Sequence, residues 1–502
     1  MEAIKKYKKQ LFFHLFLNFV FGVFITFSSY YHLPLNDFKD HLYYFFHFLI
    51  LQFSIFGYLY LLSINRLIFV SVFPIIFVLL SIASFWIYTQ DIAISQSIIQ
   101  ASIESKPDVI FDLLSIPFLV FMLVSIIFVF IILKMHRIIK INQIKSPLLL
   151  LAIISILSYS FVEDYRFGTL RRRLPYNVVI ATNEYYSQNK ITFKTIKNKL
   201  KTGVDSLNIV FILGESVRAD HLQLNGYYRQ TNPLLSKRKN IVSFSNAYTP
   251  LTYTAISVPQ ILTNASLTDN YSEPKYSLID VLNYANIKTS WIGNQTSEKS
   301  FGIFINQSTI HKLLDPMHSE SSFRKDYDEK LIPVFKSIYK PFENQFTTIH
   351  MMGSHWWYET RYPESFRYYR PIIKSKYVPS NTKEEMINSY DNTILYLDYF
   401  IDEVIKNVEK TNSNTLVIYL SDHGELLGEN NLWLHAQNGK ESENPAMIIW
   451  YSDIFEKEHS KMIENLKLNN SKKTDLDFFF PSIIDLYKIE GIKYNKSKVF
   501  YK

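Results

Sequence analysis

Residues 208–216 read NIVFILGES, and this stretch decides the fold of the second half of the chain. A continuous apolar run rich in β-branched residues is typical of a strand that is buried on both faces of a parallel sheet. Three further runs follow the same pattern: KTSWI (288–292), FTTIHM (346–351) and TLVIYL (415–420). Because helical stretches separate these runs, the sequence predicts an α/β domain with a mostly parallel central sheet.

Residues that can bind a metal follow three of these strands. Glu215 follows the first run, His355 lies shortly after FTTIHM, and Asp422 and His423 follow TLVIYL. The carboxyl ends of parallel strands meet at the edge of the sheet where ligands bind, so we expect these side chains to lie close together. Taken singly, each would more often be a helix cap or a satisfied polar residue. Together, two carboxylates and an imidazole supply three ligands for zinc or a hard divalent cation and leave a position for substrate.

A candidate nucleophile lies in residues 246–262, which read NAYTPLTYTAISVPQIL. The pattern predicts a turn rich in Thr and Ser followed by a helix. A hydroxyl at the start of a helix lies where backbone N–H groups favour an anionic phosphate. Metal coordination would also make such a hydroxyl nucleophilic near neutral pH. Thr252, Thr254 and Ser257 are the candidates, and each could instead be an N-cap.

The first third of the chain is apolar enough to lie in a membrane. A bilayer core requires roughly 20 apolar residues per helix. Five stretches approach or exceed that length, the last being short: 11–30, 42–62, 67–88, 113–133 and 147–163. A buried helical core of a soluble protein is the alternative, and five such runs in succession argue against it.

Basic residues in the loops predict the orientation of this anchor, since Lys and Arg are enriched on the cytoplasmic side. They concentrate before the first span and between the fourth and fifth spans: Lys5, Lys6, Lys8, Lys9, Lys134, Arg137, Lys140 and Lys145. The amino terminus is therefore predicted to lie inside, and everything after the fifth span outside. The predicted domains are an anchor over 1–163, a bridging segment along the membrane surface over 164–205, and a catalytic domain over 206–502.

Composition excludes several classes of protein. The chain has no cysteine, which rules out disulfides, thiolate catalysis and Cys-ligated zinc. The formal net charge of +8 could suggest nucleic acid, but many of the basic residues flank predicted membrane spans and no nucleic-acid motif is present. We therefore expect membrane lipids, and no nucleic acid, as partners.

Four segments resemble the signature of the lipopolysaccharide phosphoethanolamine transferases, a branch of the alkaline-phosphatase/sulfatase superfamily. They are GESVRADHLQLNGYYRQTNP (214–233), TYTAISVP (252–259), MMGSHWWYETRYP (351–363) and SDHGELLGENNLWLH (421–435). Their order, their separations and the five spans before them also match the family. The resemblance covers essentially the whole chain and implies a bacterial inner-membrane enzyme with its catalytic domain in the periplasm.

The resemblance also implies roles for individual residues. Thr254 would be the nucleophile that becomes modified by phosphoethanolamine, and it would bind Zn²⁺ together with Glu215, Asp422 and His423. The other positions that match the family would contact substrate, the two histidines binding the phosphoryl group or a second zinc: Gln295, Lys299, His355 and His435.

Two departures from the family pattern lie in the catalytic domain. The colistin-resistance members of the family carry disulfides, and two of their cysteines flank the nucleophile loop where this chain has Pro250 and Gln260. Packing alone must therefore hold that loop. After His435 the family sequence GTPY is replaced by AQNG, which puts contacts on the acceptor side in doubt.

The expected reaction has two steps. Thr254 would take phosphoethanolamine from phosphatidylethanolamine, with diacylglycerol leaving, and pass it to lipid A, a core sugar or another periplasmic glycan. His355 or His435 would assist proton transfer. The enzyme is expected to be a monomer. The alternatives are a phosphoglycerol transferase of the lipoteichoic acid synthase type, a hydrolase, or a non-catalytic membrane protein derived from this fold.

Overall fold

The structure, a computed structural model, divides the chain into two compact units. The first comprises residues 1–100 and 113–187, and the second comprises 101–112 and 188–502. Apart from a few single positions, the structure describes residues 2–32, 38–90, 114–138, 146–166, 170–187, 191–197, 199–295, 300–314, 326–374 and 381–501. The predicted bridging segment divides between the two units, and the domain boundaries drawn from composition stay a prediction.

The first unit is helical. A π-helical turn at Gly22–Thr26 interrupts its first long helix before a short one follows. Its helices, numbered in chain order, are α1 (Glu2–Phe21), α2 (Ser28–Tyr31), α3 (Phe38–Ile64), α4 (Arg66–Gln90), α5 (Ile116–Ile138), α6 (Leu148–Arg166) and α7 (Tyr176–Ser187).

Four helical stretches among the described residues are long and apolar enough to cross a membrane. They are Tyr7–Thr26, His41–Ile64, Arg66–Thr89 and Ile116–Ile138. These agree with the first four predicted spans. The apolar part of α6, Leu148–Val162, is shorter than a usual span, so the anchor has four spans by length and composition, one fewer than predicted.

Helix α6 packs against α3, and the chain on either side of α6 contacts the two ends of α1. Before α6 begins, Ser146 Oγ donates a 2.9 Å hydrogen bond to Gln10 Oε1, near the start of α1. Beyond α6, Leu174 N donates to Ser29 Oγ over 3.1 Å, past the end of α1. Helix α6 also meets α3 closely, because a Cβ on Gly57 would lie 2.4 Å from the carbonyl oxygen of Ala152.

The second unit is built on a seven-stranded sheet among the described residues, with strand order β2-β10-β7-β1-β6-β4-β5. Its strands and those of two small sheets are β1 (Asn208–Gly214), β2 (Ile241–Phe244), β3 (Ala247–Tyr248), β4 (Lys288–Gly293), β5 (Ile310–Leu313), β6 (Gln345–His350), β7 (Thr415–Ser421), β8 (Leu426–Glu429), β9 (Leu432–Leu434), β10 (Met447–Tyr451) and β11 (Thr474–Asp475). Its helices are α8 (Thr254–Ile261), α9 (Leu278–Tyr284), α10 (Gly302–Gln307), α11 (Leu331–Ile338), α12 (Lys383–Glu409), α13 (Asp453–Glu458), α14 (Ser460–Asn469) and α15 (Phe479–Leu486).

The four strands identified from the sequence are β1, β4, β6 and β7, and they form a parallel block together with β5. The predicted mostly parallel sheet is in fact mixed, because β10 pairs antiparallel with both β7 and β2. Parallel neighbours need a crossover connection, whereas the chain between β7 and β10 contains only the β8–β9 hairpin and turns.

Both faces of the sheet are covered. Alternate residues of β1 point into two separate apolar clusters, with Phe211 in one and Ile212 in the other. Helices α8, α9 and α15 contribute to the first cluster, and α11 and α12 to the second. Burial on both faces explains why the parallel strands are continuous apolar runs.

Candidate metal centre

The register of the sheet aligns the strand ends that carry the candidate residues. Gly214 pairs with Ser421, so Glu215 and Asp422 follow adjacent positions of β1 and β7. On the other side of β1, Leu213 pairs with His350 of β6. Loops that leave neighbouring parallel strands at the same level bring residues far apart in sequence to one edge.

Glu215, Asp422 and His423 form a group that could hold a metal ion. One ligand atom from each lies within 4.8 Å of the others, and all three side chains are fully buried. Nε2 of His423 lies 3.2 Å from Glu215 Oε1 and 3.4 Å from Asp422 Oδ2. Neither His423 Nε2 nor Asp422 Oδ2 has a hydrogen-bond partner in the described structure. Buried polar atoms are rarely left unpaired, so these two atoms are positioned as metal ligands would be.

The tautomer of His423 suits metal binding. Its Nδ1 lies 2.7 Å from the carbonyl oxygen of Gly424, which can only accept a hydrogen bond. Nδ1 therefore carries the hydrogen, and in the neutral ring the lone pair is on Nε2, facing the two carboxylates. A backbone carbonyl that orients a histidine in this way is common around protein metal sites.

The electrostatics of the triad favour a cation. Burial and the charge of Glu215 raise the pKa of Asp422 above its usual range. Although burial alone would lower it, the carboxylates of Asp422 and Glu215 raise the pKa of His423. Burial also opposes ionisation of Glu215, but the imidazole of His423 holds the pKa of Glu215 well below its usual range. Two buried carboxylates and one imidazole carry excess negative charge, which a divalent cation would neutralise.

Thr254 is the candidate hydroxyl that reaches this group. It is the first residue of α8, and its Oγ1 donates a 2.8 Å hydrogen bond to Glu215 Oε2. Ser257 Oγ lies 3.5 Å from the Thr254 carbonyl oxygen, on the helix side. Thr252 is buried, and its carbonyl oxygen accepts a hydrogen bond from Ala436 N. The geometry therefore separates Thr254 from the other two hydroxyls.

Helix α12 and the loop after β6 hold the Glu215 segment in place. Tyr390 donates its hydroxyl to the Ser216 carbonyl oxygen over 2.7 Å, and Ser216 Oγ donates to Glu215 Oε1 over 2.9 Å. Gly353 has a φ of +54°, and a Cβ there would lie 2.9 Å from the Glu215 carbonyl oxygen. Only glycine allows the loop after β6 to approach Glu215 this closely.

Three histidine rings lie in series at the site. His355 and His435 have ring centroids 5.3 Å apart, and His435 lies 5.2 Å from His423. Nδ1 of His355 is engaged by the Trp356 carbonyl oxygen, and burial lowers the pKa of His355 to about 3. His355 is therefore neutral near pH 7. Both His355 and His435 thus lie beside the predicted metal ligands.

The remaining predicted substrate contacts are Gln295 and Lys299. Gln295 follows β4, and its Nε2 donates to Glu215 Oε2 over 3.3 Å and to the Met351 carbonyl oxygen over 2.8 Å. It therefore lies against a predicted ligand rather than in an open position. Lys299 falls outside the residues that the structure describes.

Sequence reasoning missed two groups that position the histidines. Glu425 accepts from the Tyr358 hydroxyl over 2.8 Å and lies 3.3 Å from His435 Nδ1. Asp328 accepts from the backbone N–H groups of Met352 and Gly353, just before His355. Glu425 lies within the quoted SDHGE segment and could have been singled out, whereas no local pattern marks Asp328.

Known proteins resemble this chain along most of its length. The sulfatase family matches residues 207–489. "Phosphoethanolamine transferase EptA" of Escherichia coli K12 is 28% identical over 341 residues, which cover 63% of this chain and 62% of that relative. The alignment thus spans about three fifths of the relative's own length.

Two solved structures share the fold. The integral membrane lipooligosaccharide phosphoethanolamine transferase A (EptA) from Neisseria meningitidis superposes with a TM-score of 0.83 at 22% identity, covering 97% of both chains. The periplasmic domain of EptC from Escherichia coli, in complex with Zn, superposes with a TM-score of 0.54 at 23% identity, covering 62% of this chain and 90% of that one. The sulfatase match covers more than half of the chain, from before β1 to beyond α15. The chain therefore belongs to the sulfatase family, within the alkaline-phosphatase/sulfatase superfamily.

Proposed function

We propose that this chain transfers phosphoethanolamine from phosphatidylethanolamine to lipid A, a core sugar or a related periplasmic glycan. The observation that carries the proposal is the 2.8 Å hydrogen bond from Thr254 Oγ1 to Glu215, at a buried group of three potential metal ligands. Several relatives of the chain are phosphoethanolamine transferases, which supports phosphoethanolamine as the transferred group. The structure of the EptC periplasmic domain in complex with Zn supports zinc as the metal.

The residues present fit zinc. Glu215, Asp422 and His423 supply two carboxylates and one imidazole, and the Thr254 hydroxyl lies beside them. A zinc ion held there would supply Lewis acidity, lowering the pKa of a neighbouring hydroxyl and offsetting charge on phosphoryl oxygens.

In the first step, Thr254 Oγ1 bonds to phosphorus, and the bond between phosphorus and the glycerol oxygen of the lipid breaks. The hydroxyl proton of Thr254 ends on diacylglycerol. In the second step, an acceptor oxygen bonds to phosphorus, the bond to Thr254 breaks, and the acceptor proton restores the hydroxyl. Glu215 Oε2 orients the hydroxyl, and His355 and His435 lie close enough to the site to assist the proton transfers.

The covalent step can be tested directly. We expect the purified full-length chain, incubated with phosphatidylethanolamine, to gain one phosphoethanolamine on tryptic peptide 240–275, which contains Thr254. The measurement is tandem mass spectrometry of that peptide, with phosphatidylglycerol as the parallel donor. A glycerophosphate adduct formed only with phosphatidylglycerol would identify a phosphoglycerol transferase, and no adduct with either donor would favour a non-catalytic protein.

The acceptor is tested by mass spectrometry of lipid A and core oligosaccharide from cells with and without the gene. A gain of one phosphoethanolamine on one fraction identifies the acceptor. A gain on neither would exclude both and leave a periplasmic glycan or protein.

The proposed function also requires a fifth membrane crossing, because donor and acceptor lie on the outer side. Ser146, just before α6, bonds to Gln10 near the start of α1, and Leu174, after α6, bonds to Ser29 past the end of α1, so α6 connects the same two ends of the unit. Its 19 residues span roughly 28 Å at 1.5 Å per residue, close to the ~30 Å of a bilayer core. We therefore propose that the first unit lies in the bacterial inner membrane and the second unit in the periplasm. We also propose that the protein is a monomer.

Cysteine labelling tests this topology cleanly, because the chain has no cysteine of its own. Ser187→Cys lies after α6 and Ile144→Cys before it, and both positions are exposed. In spheroplasts, a membrane-impermeant maleimide is expected to label Ser187→Cys at once and Ile144→Cys only after lysis. Protection of both positions until lysis would instead show that α6 does not cross.

A further inference from the structure

The segment after α6 is fixed to the end of the membrane unit. Leu170 and Leu174 are fully buried in the same apolar cluster as side chains of α1, α3 and α4. Leu174 N also donates to Ser29 Oγ over 3.1 Å. Between these two leucines lie three consecutive arginines, Arg171, Arg172 and Arg173.

Arg173 is a cation without a carboxylate partner among the described residues. Its Nη1 donates a 2.6 Å hydrogen bond to the Ser29 carbonyl oxygen, and its guanidinium carbon lies 5.0 Å from the centre of the Tyr30 ring. Nε is enclosed and has no hydrogen-bond partner. The side edge of the guanidinium, formed by Nε and Nη2, therefore has an unsatisfied donor. This is the edge that binds a carboxylate or phosphate through two parallel hydrogen bonds.

The surroundings of Arg173 match the headgroup level of a membrane. Ser29 lies past the end of the first apolar stretch, Tyr7–Thr26, and therefore where that span leaves the bilayer core. Phe27 and Tyr31 are 45% and 59% exposed beside it, and aromatic rings of this kind prefer the interface between acyl chains and water. Arg172 is also exposed, which adds positive charge at the same level. A phosphate that carries acyl chains would meet both the unsatisfied donor and the exposed rings.

We propose that Arg173, held by Ser29 and Tyr30, binds the phosphate of an outer-leaflet phospholipid. The site lies wholly within the membrane unit and uses none of the proposed metal ligands, so it can be tested separately from transfer. Its chemistry requires a phosphate, so it retains phospholipids and does not retain diacylglycerol. If the proposed function is correct, the site therefore favours the donor lipid over the product that leaves.

The test measures lipid binding to the delipidated full-length chain in maltoside micelles. Native mass spectrometry would count retained lipid after addition of phosphatidylethanolamine, phosphatidylglycerol, diacylglycerol or inorganic phosphate. We expect both phospholipids to bind and diacylglycerol not to bind. Arg173→Gln should weaken phospholipid binding by at least about tenfold, as expected for the loss of a charge-assisted pair. Arg173→Lys, which keeps the charge but loses the planar fork, should weaken it less.

Arg137→Gln is the matched control, because Arg137 is an exposed cation at the opposite end of the membrane unit. It should bind phospholipid as the unmodified chain does. Equal binding by Arg173→Gln, or by diacylglycerol, would overturn the proposal. Full competition by millimolar inorganic phosphate would show a site for the free anion instead of a lipid. If Arg173→Gln fails to fold, a lysine variant with undiminished binding would also overturn it.

Discussion

Thr254→Ala is expected to abolish transfer while leaving the fold intact, with zinc still held by Glu215, Asp422 and His423. The side chain is only 7% exposed, and its hydroxyl donates a hydrogen bond to Glu215. Removing the nucleophile of a covalent enzyme costs on the order of 10⁶ in turnover in a well-studied protease, so we expect a loss of at least about a thousandfold here. The measurement is phosphoethanolamine transfer from labelled phosphatidylethanolamine, read beside the zinc content of the same preparation.

Two further substitutions, at Thr252 and at Thr254 itself, serve as controls for this result. Thr252 is also a buried threonine, but in the described structure the hydroxyl bonded to Glu215 is that of Thr254, so Thr252→Ala should retain transfer. Thr254→Ser keeps the hydroxyl at the start of α8 and should retain measurable transfer and form the covalent adduct. Substantial transfer by Thr254→Ala would show that another group attacks phosphorus. Loss of transfer in Thr252→Ala alone would move the nucleophile to that residue.

The parallel core of the second unit could be predicted from the sequence because burial on both faces leaves a strong signal. The runs NIVFIL, KTSWI, FTTIHM and TLVIYL became β1, β4, β6 and β7, with ends displaced by no more than one residue. Strands β2 and β10 are equally apolar but short, and nothing in their sequence indicates that they pair antiparallel. Pairing direction depends on the connection between strands, which the local pattern does not reveal.

Residues that lie together at the candidate site could be named from the sequence, but their contacts could not. Glu215 and the Asp422–His423 pair were identified because they follow strands, and the aligned register of β1 and β7 brings them together. The choice of Thr254 over Thr252 depended on the resemblance and needs geometry to justify it, because both hydroxyls lie in the same turn. Asp328 holds the loop after β6 from a distant part of the chain, and only the folded structure shows such a contact.

The membrane unit shows the limit of composition as a guide. Hydropathy identifies four spans, and the apolar part of α6 falls short of the usual length although the chain on either side of α6 contacts both ends of α1. The close approach of α6 to Gly57 of α3 is a packing feature that hydropathy does not register. Small residues let membrane helices approach closely, so the proposal of a fifth crossing rests on packing rather than on apolar length.

Asp422→Asn is expected to remove zinc and transfer together, yet to stabilise the metal-free protein. Asp422 Oδ1 accepts hydrogen bonds from Ser216 N and His423 N, which the oxygen of an asparagine can also accept. Oδ2 has no hydrogen-bond partner, so replacing it by an amide group loses no hydrogen bond. The substitution removes a buried carboxylate next to Glu215, and we expect a gain on the order of 1 kcal/mol in the free energy of unfolding after chelation. Transfer should fall at least about a hundredfold, since even indirect contacts to a metal cost 10–100-fold.

Asp328→Asn is the matched control for Asp422→Asn, because Asp328 is a buried aspartate that is not a candidate metal ligand. Both oxygens of Asp328 accept hydrogen bonds, from Met352 N, Gly353 N and the Asn294 amide, so an asparagine there must lose an acceptor. It should therefore lower the melting temperature in zinc and after chelation alike. Asp422→Asn should raise the melting temperature after chelation and abolish the further rise that zinc gives to the unmodified chain. If Asp422→Asn instead destabilised the chelated protein as Asp328→Asn does, or retained its zinc, Asp422 would be a structural residue and the metal site would lie elsewhere. Two neighbouring buried carboxylates, Glu215 and Asp422, lower the stability of the metal-free protein. We expect such a cost at a site selected for metal-dependent chemistry rather than for stability.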